Sequence, residues 1–279
     1  MTITSQAQPL TLAGKVAIVT GGSRGIGAAS AIEFAKRGAN VAITFVSPSS
    51  AKLADDVIST IAALPNTNGA RAIKIHADTC DPASPAKIVA ETTAAFGTQT
   101  IDILVNNAGA ETLAPLGQIT HEQFTHAFDT NVRGVVFTTQ AVLPHLPPAS
   151  TTAGGRTTGG RIINVGSVLG RVGNPGGSVY AATKAAMEGL TRCWAHDLGA
   201  AGHTVNVVAP AMTETDMMRR TVGRGVPREQ LDAARAMTPM QRRLAEPEDV
   251  ALVVAMLAED GSRWVTGQTI QAGGGIHMA

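Results

Sequence analysis

The chain has 279 residues, of which 44% are hydrophobic and only 3% aromatic, so small aliphatic side chains must fill its interior. Its formal net charge of +1, with scattered Lys and Arg, argues against nucleic acid or an anionic membrane as a partner. The chain lacks an apolar run of the ~18 residues that a membrane span needs, and its first residues do not resemble a secretory signal. We therefore expect a cytoplasmic protein with a flexible tail at 1–13 and one domain at 14–279.

Short apolar runs alternate with amphipathic stretches along this domain. Buried strands are predicted at 15–20, 41–46, 71–77, 101–106, 161–166, 204–209 and 268–272. Helices are predicted at 25–37, after Ser47, after Asp81, at 119–147, at 178–200 and from Glu246 onward. This alternation predicts an α/β domain with a doubly wound parallel sheet of about seven strands and helices on both faces.

Two segments interrupt the alternation. Residues 147–160 are small and polar, and we expect a mobile insertion there. Residues 211–245 carry several methionines among charged residues, namely Met212, Met217, Met218, Met237 and Met240. Either a flexible lid or an ordinary surface helix pair explains this second segment.

The first predicted strand leads into a glycine-rich turn, TGGSRGIG, from Thr20 to Gly27. Glycines allow a tight turn and a close approach of the backbone to a pyrophosphate, which the N-terminus of the next helix favours. The spacing of Gly21, Gly25 and Gly27 is G-x-x-x-G-x-G. The turn therefore predicts a dinucleotide site.

Tyr180 is the only tyrosine, and it precedes Lys184 by one helical turn. An ammonium near a phenol favours the phenolate and lowers its pKa, which would make Tyr180 a usable general acid or base. This spacing is common in helices, so its meaning depends on the other motifs.

Further motifs accompany the glycine turn and the Tyr180–Lys184 pair. With NNAG at Asn106–Gly109, Asn131, Ser167 and YAATK ending at Lys184, the chain resembles the short-chain dehydrogenase/reductase family from Lys15 to the C-terminus. The resemblance implies a Rossmann fold and an NAD(P) cofactor.

The resemblance also implies four catalytic residues. Tyr180 would exchange a proton with the substrate oxygen, and Ser167 would hydrogen-bond the same oxygen. Lys184 would lower the phenol pKa and hold the nicotinamide ribose, while Asn131 would hold a water that relays protons. Simpler interpretations are that Ser167 ends a strand, Asn131 is a buried amide and Lys184 is solvated.

The cofactor would lie along the carboxyl ends of the strands, with Asp78 at the adenine and Thr213 at the nicotinamide amide. The expected contacts are Gly21, Ser23, Arg24, Gly25, Ile26, Gly27, Ser47, Asp78, Thr79, Asn106, Ala108, Gly109, Tyr180, Lys184, Pro210, Thr213 and Thr215. Ala211 replaces the family's usual glycine, which puts the local backbone angles in doubt. Asp78 could instead cap the next helix.

Local chemistry favours NADP over NAD. The second strand ends in TFVSPSS, without the acid that would bind ribose hydroxyls and repel a phosphate. Arg24 and Ser47 could instead bind a 2′-phosphate, although a solvated turn residue and a helix N-cap are simpler roles for them.

We therefore predict an NADPH-dependent oxidoreductase that reduces a ketone to a secondary alcohol. The resemblance implies a homotetramer formed through the helices that contain Asn131 and Tyr180. A weaker similarity of 191–217 and the ending GGGIHM to fungal polyhydroxynaphthalene-type and 3-ketoacyl reductases suggests an apolar or aromatic substrate. No metal is expected, because His and Cys lack ligand spacing. Alternatives are an NAD-dependent alcohol dehydrogenase working oxidatively and a non-catalytic NADP-sensing regulator.

Overall fold

The computed structural model describes residues 9–151, 157–223 and 228–278. Most of the predicted tail, residues 1–8, and part of the predicted insertion at 147–160 lie outside these ranges. Leu12 is only 2% exposed, and its N–H donates to the Arg37 carbonyl at 2.9 Å. The packed structure therefore begins ahead of residue 14, because an apolar side chain of the predicted tail fills part of the core.

The strands and helices alternate along the chain. The strands are β1 Val16–Val19, β2 Asn40–Phe45, β3 Ala72–His76, β4 Ile103–Asn106, β5 Ser150–Thr151, β6 Thr157–Thr158, β7 Arg161–Val165, β8 Thr204–Pro210 and β9 Thr269–Ala272. The α-helices are α1 Gly25–Lys36, α2 Pro48–Ala62, α3 Ser84–Phe96, α4 His121–Phe128, α5 Gly134–Val142, α6 Ser178–Gly199, α7 Asp216–Gly223, α8 Arg228–Met237 and α9 Pro247–Ala258.

Seven strands form one parallel sheet in the order β3-β2-β1-β4-β7-β8-β9. β5 and β6 form a separate antiparallel pair within the predicted insertion. The sheet order reverses between β1 and β4, where a doubly wound fold leaves a crevice at the carboxyl ends of the strands. The predicted α/β fold is confirmed.

The core has two halves, one on each face of the sheet. In β1, Val19 packs in a cluster with α1, α2 and α9, whereas Ile18 packs in a second cluster with α3, α5 and α6. Neighbouring strand residues point to opposite faces, so a strand covered on both sides must be apolar at every position. This is why the strands appear in the sequence as continuous apolar runs.

The predicted helix at 119–147 is wrong as a single element. α4 is followed by a π-helical turn at Asp129–Arg133, then α5, then a 3₁₀ turn at Leu143–His145. π turns insert one extra residue into a helix and often occur at functional sites. Here the turn contains Asn131, which is buried.

The segment 211–245 contains the helix pair α7 and α8, and Thr213 pairs with Ala245 at its base. Leu231, Ala234 and Leu244 form a small cluster of their own beside Met218. The exposed methionines of this segment do not fill core gaps; they are Met212, Met237 and Met240. In the described ranges, no helix is both long and apolar enough for a membrane span.

A buried arginine lies at the opposite end of the sheet from the crevice. Arg161 is 3% exposed, donates to the Gly159 carbonyl at 2.7 Å and approaches Asp260 at 3.3 Å. Nearby, His203 Nδ1 accepts a hydrogen bond from the Gly160 N–H at 2.7 Å. Burial, with a further contribution from the Arg161 charge, lowers the pKa of His203.

The lowered pKa of His203 predicts that the folded protein loses stability in acid. Because its folded pKa lies below the unfolded value of ~6.5, the unfolded chain binds more protons below that pH. The free energy of unfolding should fall as pH drops from about 6.5 towards the folded pKa. In urea denaturation from pH 7.5 to 5, His203→Gln should show a flatter dependence than the unmodified protein; parallel curves would contradict the assignment.

Candidate active site

The glycine turn is fastened to the end of β4 by Thr20 and Asn107. Thr20 Oγ1 accepts from the N–H groups of Asn107 and Ala108, both at 3.0 Å. The Asn107 amide donates back to the carbonyls of Thr20 and Gly21 at 2.9 and 3.0 Å. Two adjacent loops at the carboxyl edge of the sheet therefore form one rigid unit.

The glycines of the turn have no room for side chains. Gly21 and Gly25 have φ of +63° and +55°, in the left-handed region. A Cβ on Gly27 would lie 2.4 Å from Asn107 Nδ2 and 2.6 Å from the Gly21 carbonyl oxygen. Arg24 precedes α1 without capping it through its side chain, which leaves the first-turn N–H groups to an anion. The turn therefore fits a pyrophosphate.

Hydroxyl groups and a guanidinium gather beyond β2. Arg24 Nη2 donates to Ser50 Oγ at 2.7 Å, and Ser47 Oγ lies 2.8 Å from Ser50 Oγ and 2.9 Å from Ser49 Oγ. Ser47 also caps α2, as its simpler interpretation predicted. Asp216 approaches Arg24 Nη1 at 3.5 Å. Ser49, Ser50 and Asp216 are not among the residues predicted from the sequence, although the adjacent serines of PSS were a visible signal.

The remaining predicted cofactor contacts differ in their placement. Asp78 is exposed and accepts from the Cys80 N–H at 2.9 Å, while Thr79 is buried. The Asn106 amide is buried in the core, where it donates to Thr139 and Asn164 at 3.0 and 2.9 Å. The Asn106 side chain therefore does not reach the crevice.

The residues that follow β8 lie close to the glycine turn. Pro210 is the last residue of β8, and Thr213 is buried. A Cβ added to Gly25 would lie 3.2 Å from the Thr215 methyl group. Ala211 is not among the described non-glycine residues with positive φ, so alanine is accommodated there. Ser23 is buried, and Ile26 packs against the core.

Tyr180 and Lys184 lie one turn apart on α6. Lys184 Nζ is 5.6 Å from the centre of the Tyr180 ring and donates to the Val165 carbonyl at 2.8 Å. The Lys184 side chain is buried, so the solvated alternative is wrong. Ser167 follows β7 and hydrogen-bonds the Tyr180 phenol. The structure thus brings Ser167, Tyr180 and Lys184 together.

Asn131 links these residues to the loop after β4. Its Oδ1 accepts from the Ala110 N–H at 2.8 Å, and its Nδ2 donates to the Ala110 carbonyl at 2.9 Å and to Thr183 Oγ1 at 3.0 Å. Thr183 Oγ1 donates in turn to the Tyr180 carbonyl at 2.7 Å. These contacts fit the interpretation of Asn131 as a buried amide, and the proton relay stays a prediction.

Burial dominates the protonation of the pair on α6. It raises the pKa of the Tyr180 phenol to about 12, with a further rise from the Glu111 charge and an opposing effect of the Ser167 hydrogen bond. It also lowers the pKa of Lys184 to about 8. Without a cofactor, Tyr180 is therefore protonated at neutral pH and can donate a proton. Glu111 is not among the residues predicted from the sequence.

The types of side chain at this site indicate which chemistry it can support. Within the described residues, no group of three or more His, Cys, Asp or Glu side chains could hold an ion. The donors that converge are hydroxyls, amides and an ammonium, which suit hydride and proton transfer with an organic cofactor.

The fold and site define an oxidoreductase of the dinucleotide-binding type, and the chain belongs to the short-chain dehydrogenase/reductase family. A family model described as enoyl-(acyl carrier protein) reductase matches residues 21–277. The dehydrogenase OXI1 of Cochliobolus heterostrophus is 45% identical over 236 residues, which cover 85% of this chain and 96% of the relative. The hydroxynaphthalene reductase arp2 of Aspergillus fumigatus is 40% identical over 267 residues, 93% and 91% of the two chains.

Solved structures resemble the chain over nearly its whole length. A short-chain dehydrogenase from Burkholderia cenocepacia in complex with NADP has a TM-score of 0.81 and 39% identity, and the match covers 95% of this chain and 99% of that one. A blue fluorescent protein from a metagenomic library in complex with NADPH has a TM-score of 0.83 and 38% identity, with 96% and 100% coverage.

Replacing Asn131 is expected to lower the free energy of unfolding, in addition to any effect on catalysis. Asn131→Ala would leave the backbone groups of Ala110 and the Thr183 hydroxyl without their partner in a buried site. Chemical denaturation should show a loss of about 2–3 kcal/mol in the free energy of unfolding. Asn174→Ala, which removes an exposed amide near the site, should change it by less than ~0.5 kcal/mol. Equal effects would contradict the proposed bracing.

Proposed function

We propose that this protein is an NADPH-dependent reductase that converts a ketone to a secondary alcohol. The observation that carries the proposal is the meeting of Ser167, Tyr180 and Lys184 at the crevice that the glycine turn borders. Two hydroxyls around one position can bind a carbonyl oxygen, and one of them is a partly buried phenol whose raised pKa keeps it protonated.

The chain's own residues divide the work of reduction. The glycine turn would hold the pyrophosphate of NADPH, and the hydride for the carbonyl carbon would come from its nicotinamide. Tyr180 donates its proton to the carbonyl oxygen, and Ser167 donates a hydrogen bond that strengthens as negative charge develops there. Lys184 would stabilise the phenolate that remains and would hold the nicotinamide ribose. Asn131 keeps the loop at Ala110 in place. It would also hold a water that returns a proton towards Lys184.

The preference for NADPH rests on the group beyond β2. Arg24, Ser47, Ser49 and Ser50 offer a guanidinium and hydroxyls, which are the donors that a 2′-phosphate requires. β2 ends without an acid that would bind ribose hydroxyls instead. The NADP and NADPH complexes of the two structural relatives support the same choice.

An apolar or aromatic ketone is the proposed substrate. The Aspergillus relative is named a hydroxynaphthalene reductase, which supports an aromatic substrate here. Exposed methionines lie on the segment that leads from β8 to α9, and Met240 donates its N–H to the Gly274 carbonyl at 3.0 Å. Flexible apolar side chains suit such a ligand. We propose that α7 and α8, the helix pair of this segment, form the substrate lid.

A cytoplasmic homotetramer is also part of the proposal. Phe124 and Phe137, on α4 and α5, are each about half exposed, and large apolar side chains at a surface support a subunit contact there. An NAD-dependent alcohol dehydrogenase working oxidatively is disfavoured by Arg24 and the serines. A sensor without turnover would not need Ser167, Tyr180 and Lys184 together.

Tyr180→Phe tests the proton donor. The change removes one oxygen and leaves the ring beside Lys184, so reduction of a ketone panel with NADPH should fall at least ~10³-fold. The dissociation constant for NADPH, measured by fluorescence titration, should change less than ~5-fold. Substantial residual turnover would reject Tyr180 as the proton donor. A large loss of NADPH binding would show that the substitution disturbs the cofactor site and not only the proton transfer.

Arg24→Ala tests the cofactor preference. Loss of the guanidinium should weaken NADPH by about 10–100-fold and NADH by less than ~3-fold, because only NADPH carries the 2′-phosphate. Asp216→Asn is the matched variant: it removes the competing carboxylate 3.5 Å from Arg24, and should tighten NADPH a few-fold without affecting NADH. Equal losses for both cofactors in Arg24→Ala would refute the phosphate contact.

A further inference from the structure

Residues 167–171 form the Ser167 turn, which follows the end of β7. Val168–Gly170 are a short 3₁₀ helix, and Ser167 caps it: the Leu169 N–H donates to Ser167 Oγ at 3.2 Å, and the Gly170 N–H donates to the Ser167 carbonyl at 3.0 Å. A hydroxyl that accepts one hydrogen bond can still donate its own proton. The place of the Ser167 hydroxyl therefore depends on the place of the whole turn.

The Ser167 turn packs against the backbone of α6. A Cβ added to Gly170 would lie 3.1 Å from the Lys184 carbonyl carbon and 3.2 Å from the Ala185 nitrogen, so a side chain there would push the turn away from the helix. Just ahead of the turn, the Lys184 ammonium donates to the Val165 carbonyl at 2.8 Å. The turn thus meets α6 at the level of Lys184, one helical turn beyond Tyr180.

An ion pair joins the same two elements one turn further along α6. Arg171 Nε donates to the Glu188 carboxylate, with its two oxygens 3.0 and 3.1 Å away. Glu188 is only 7% exposed, so water competes little for this contact. Arg192 also approaches Glu188, at 3.9 Å, but it belongs to α6 itself. The Arg171–Glu188 pair, unlike the Arg192–Glu188 pair, therefore links the Ser167 turn to the helix.

The contacts with the Ser167 turn follow one another along one face of α6. Residues four apart on a helix share a face, so Tyr180, Lys184 and Glu188 lie on the same side. The contacts of this face with the turn are Ser167 with Tyr180, Gly170 with Lys184, and Arg171 with Glu188. Glu188 is two helical turns from Tyr180, ~12 Å along the axis, so its carboxylate does not itself reach the phenol.

We propose that Glu188 is a positioning residue for the reduction: through Arg171 it holds the Ser167 turn against α6, and so keeps the Ser167 hydroxyl beside the Tyr180 phenol. The proposal rests on the proposed ketone reduction. Both hydroxyls must meet one carbonyl oxygen, and their hydrogen bonds count most when they are placed before the reaction begins. A misplacement of ~1 Å can cost ~10²-fold in rate.

Kinetics of Glu188→Ala, Ser167→Ala and the double variant test this proposal. With NADPH and the ketone that the unmodified protein reduces fastest, Ser167→Ala should lower kcat about 10²-fold. Glu188→Ala should lower kcat about tenfold and change the dissociation constant for NADPH less than ~3-fold. Because Glu188 acts through Ser167, the double variant should be less than ~2-fold slower than Ser167→Ala. Losses that multiply would overturn the proposal.

Two matched variants separate positioning from a general loss of structure. Glu188→Gln keeps an oxygen acceptor at the same reach, so its kcat should return to within ~3-fold of the unmodified protein. Arg192→Gln removes the cation of α6 and leaves the link to the turn, so kcat should change less than ~2-fold. A loss in Arg192→Gln as large as in Glu188→Ala would contradict the assignment. If Glu188→Ala does not fold, Glu188→Met fills the same space without an acceptor and carries the same expectations.

The single tyrosine provides a measurement that needs no substrate. In protein labelled with [¹³Cζ]tyrosine, Tyr180 gives the one tyrosine resonance, whose chemical shift responds to hydrogen bonding of the phenol oxygen. Ser167→Ala and Glu188→Ala should move this resonance in the same direction, and Glu188→Ala should not move it further in the Ser167→Ala background. A resonance that either single variant leaves unmoved would overturn the proposal. The expected shifts in a protein that reduces no ketone would support the positioning contact and reject the proposed function.

Discussion

The hydrogen bonds that cross-link the glycine turn and the loop after β4 are the constraint on which the rest of the site depends. Asn107 donates to the backbone of Thr20 and Gly21, and Thr20 accepts from the loop after β4. This cross-link leaves no room for a Cβ on Gly27, and it fixes where the same loop continues to Ala110. From Ala110, hydrogen bonds lead through Asn131 and Thr183 to the backbone of Tyr180. The glycine turn and Tyr180 are therefore positioned by one continuous set of polar contacts.

Burial gives that set its chemical character. A phenol and an ammonium taken out of water both favour their neutral forms, so Tyr180 retains its proton and Lys184 loses its own more readily. The sequence predicts that the Lys184 charge governs the pKa of the Tyr180 phenol, yet burial is the largest influence on that pKa in the structure. Two hydroxyls that hold their protons are suited to a carbonyl oxygen that gains negative charge.

Sequence patterns predicted the elements well where one periodicity holds throughout. The strands of the main sheet, the glycine turn and α6 were all found, because continuous apolar runs, glycine spacing and the Tyr180–Lys184 interval depend on nearby residues. The helix at 119–147 was wrong, since a π turn changes no residue pattern and is stabilised by contacts of Asn131 with a distant loop. The sequence places buried Leu12 in the tail, because one apolar residue has no periodicity.

By itself the sequence determined the parallel α/β fold, the family and the residue types of the site, because these depend on local propensity and short motifs. Only the tertiary structure decided which of two adjacent asparagines holds the glycine turn: Asn107 does, while Asn106 is engaged in the core. It also placed Ser50 and Asp216 at Arg24, and Glu111 near Tyr180. These contacts join residues far apart in the chain, and their distances are fixed by sheet order and helix packing, which no short motif encodes.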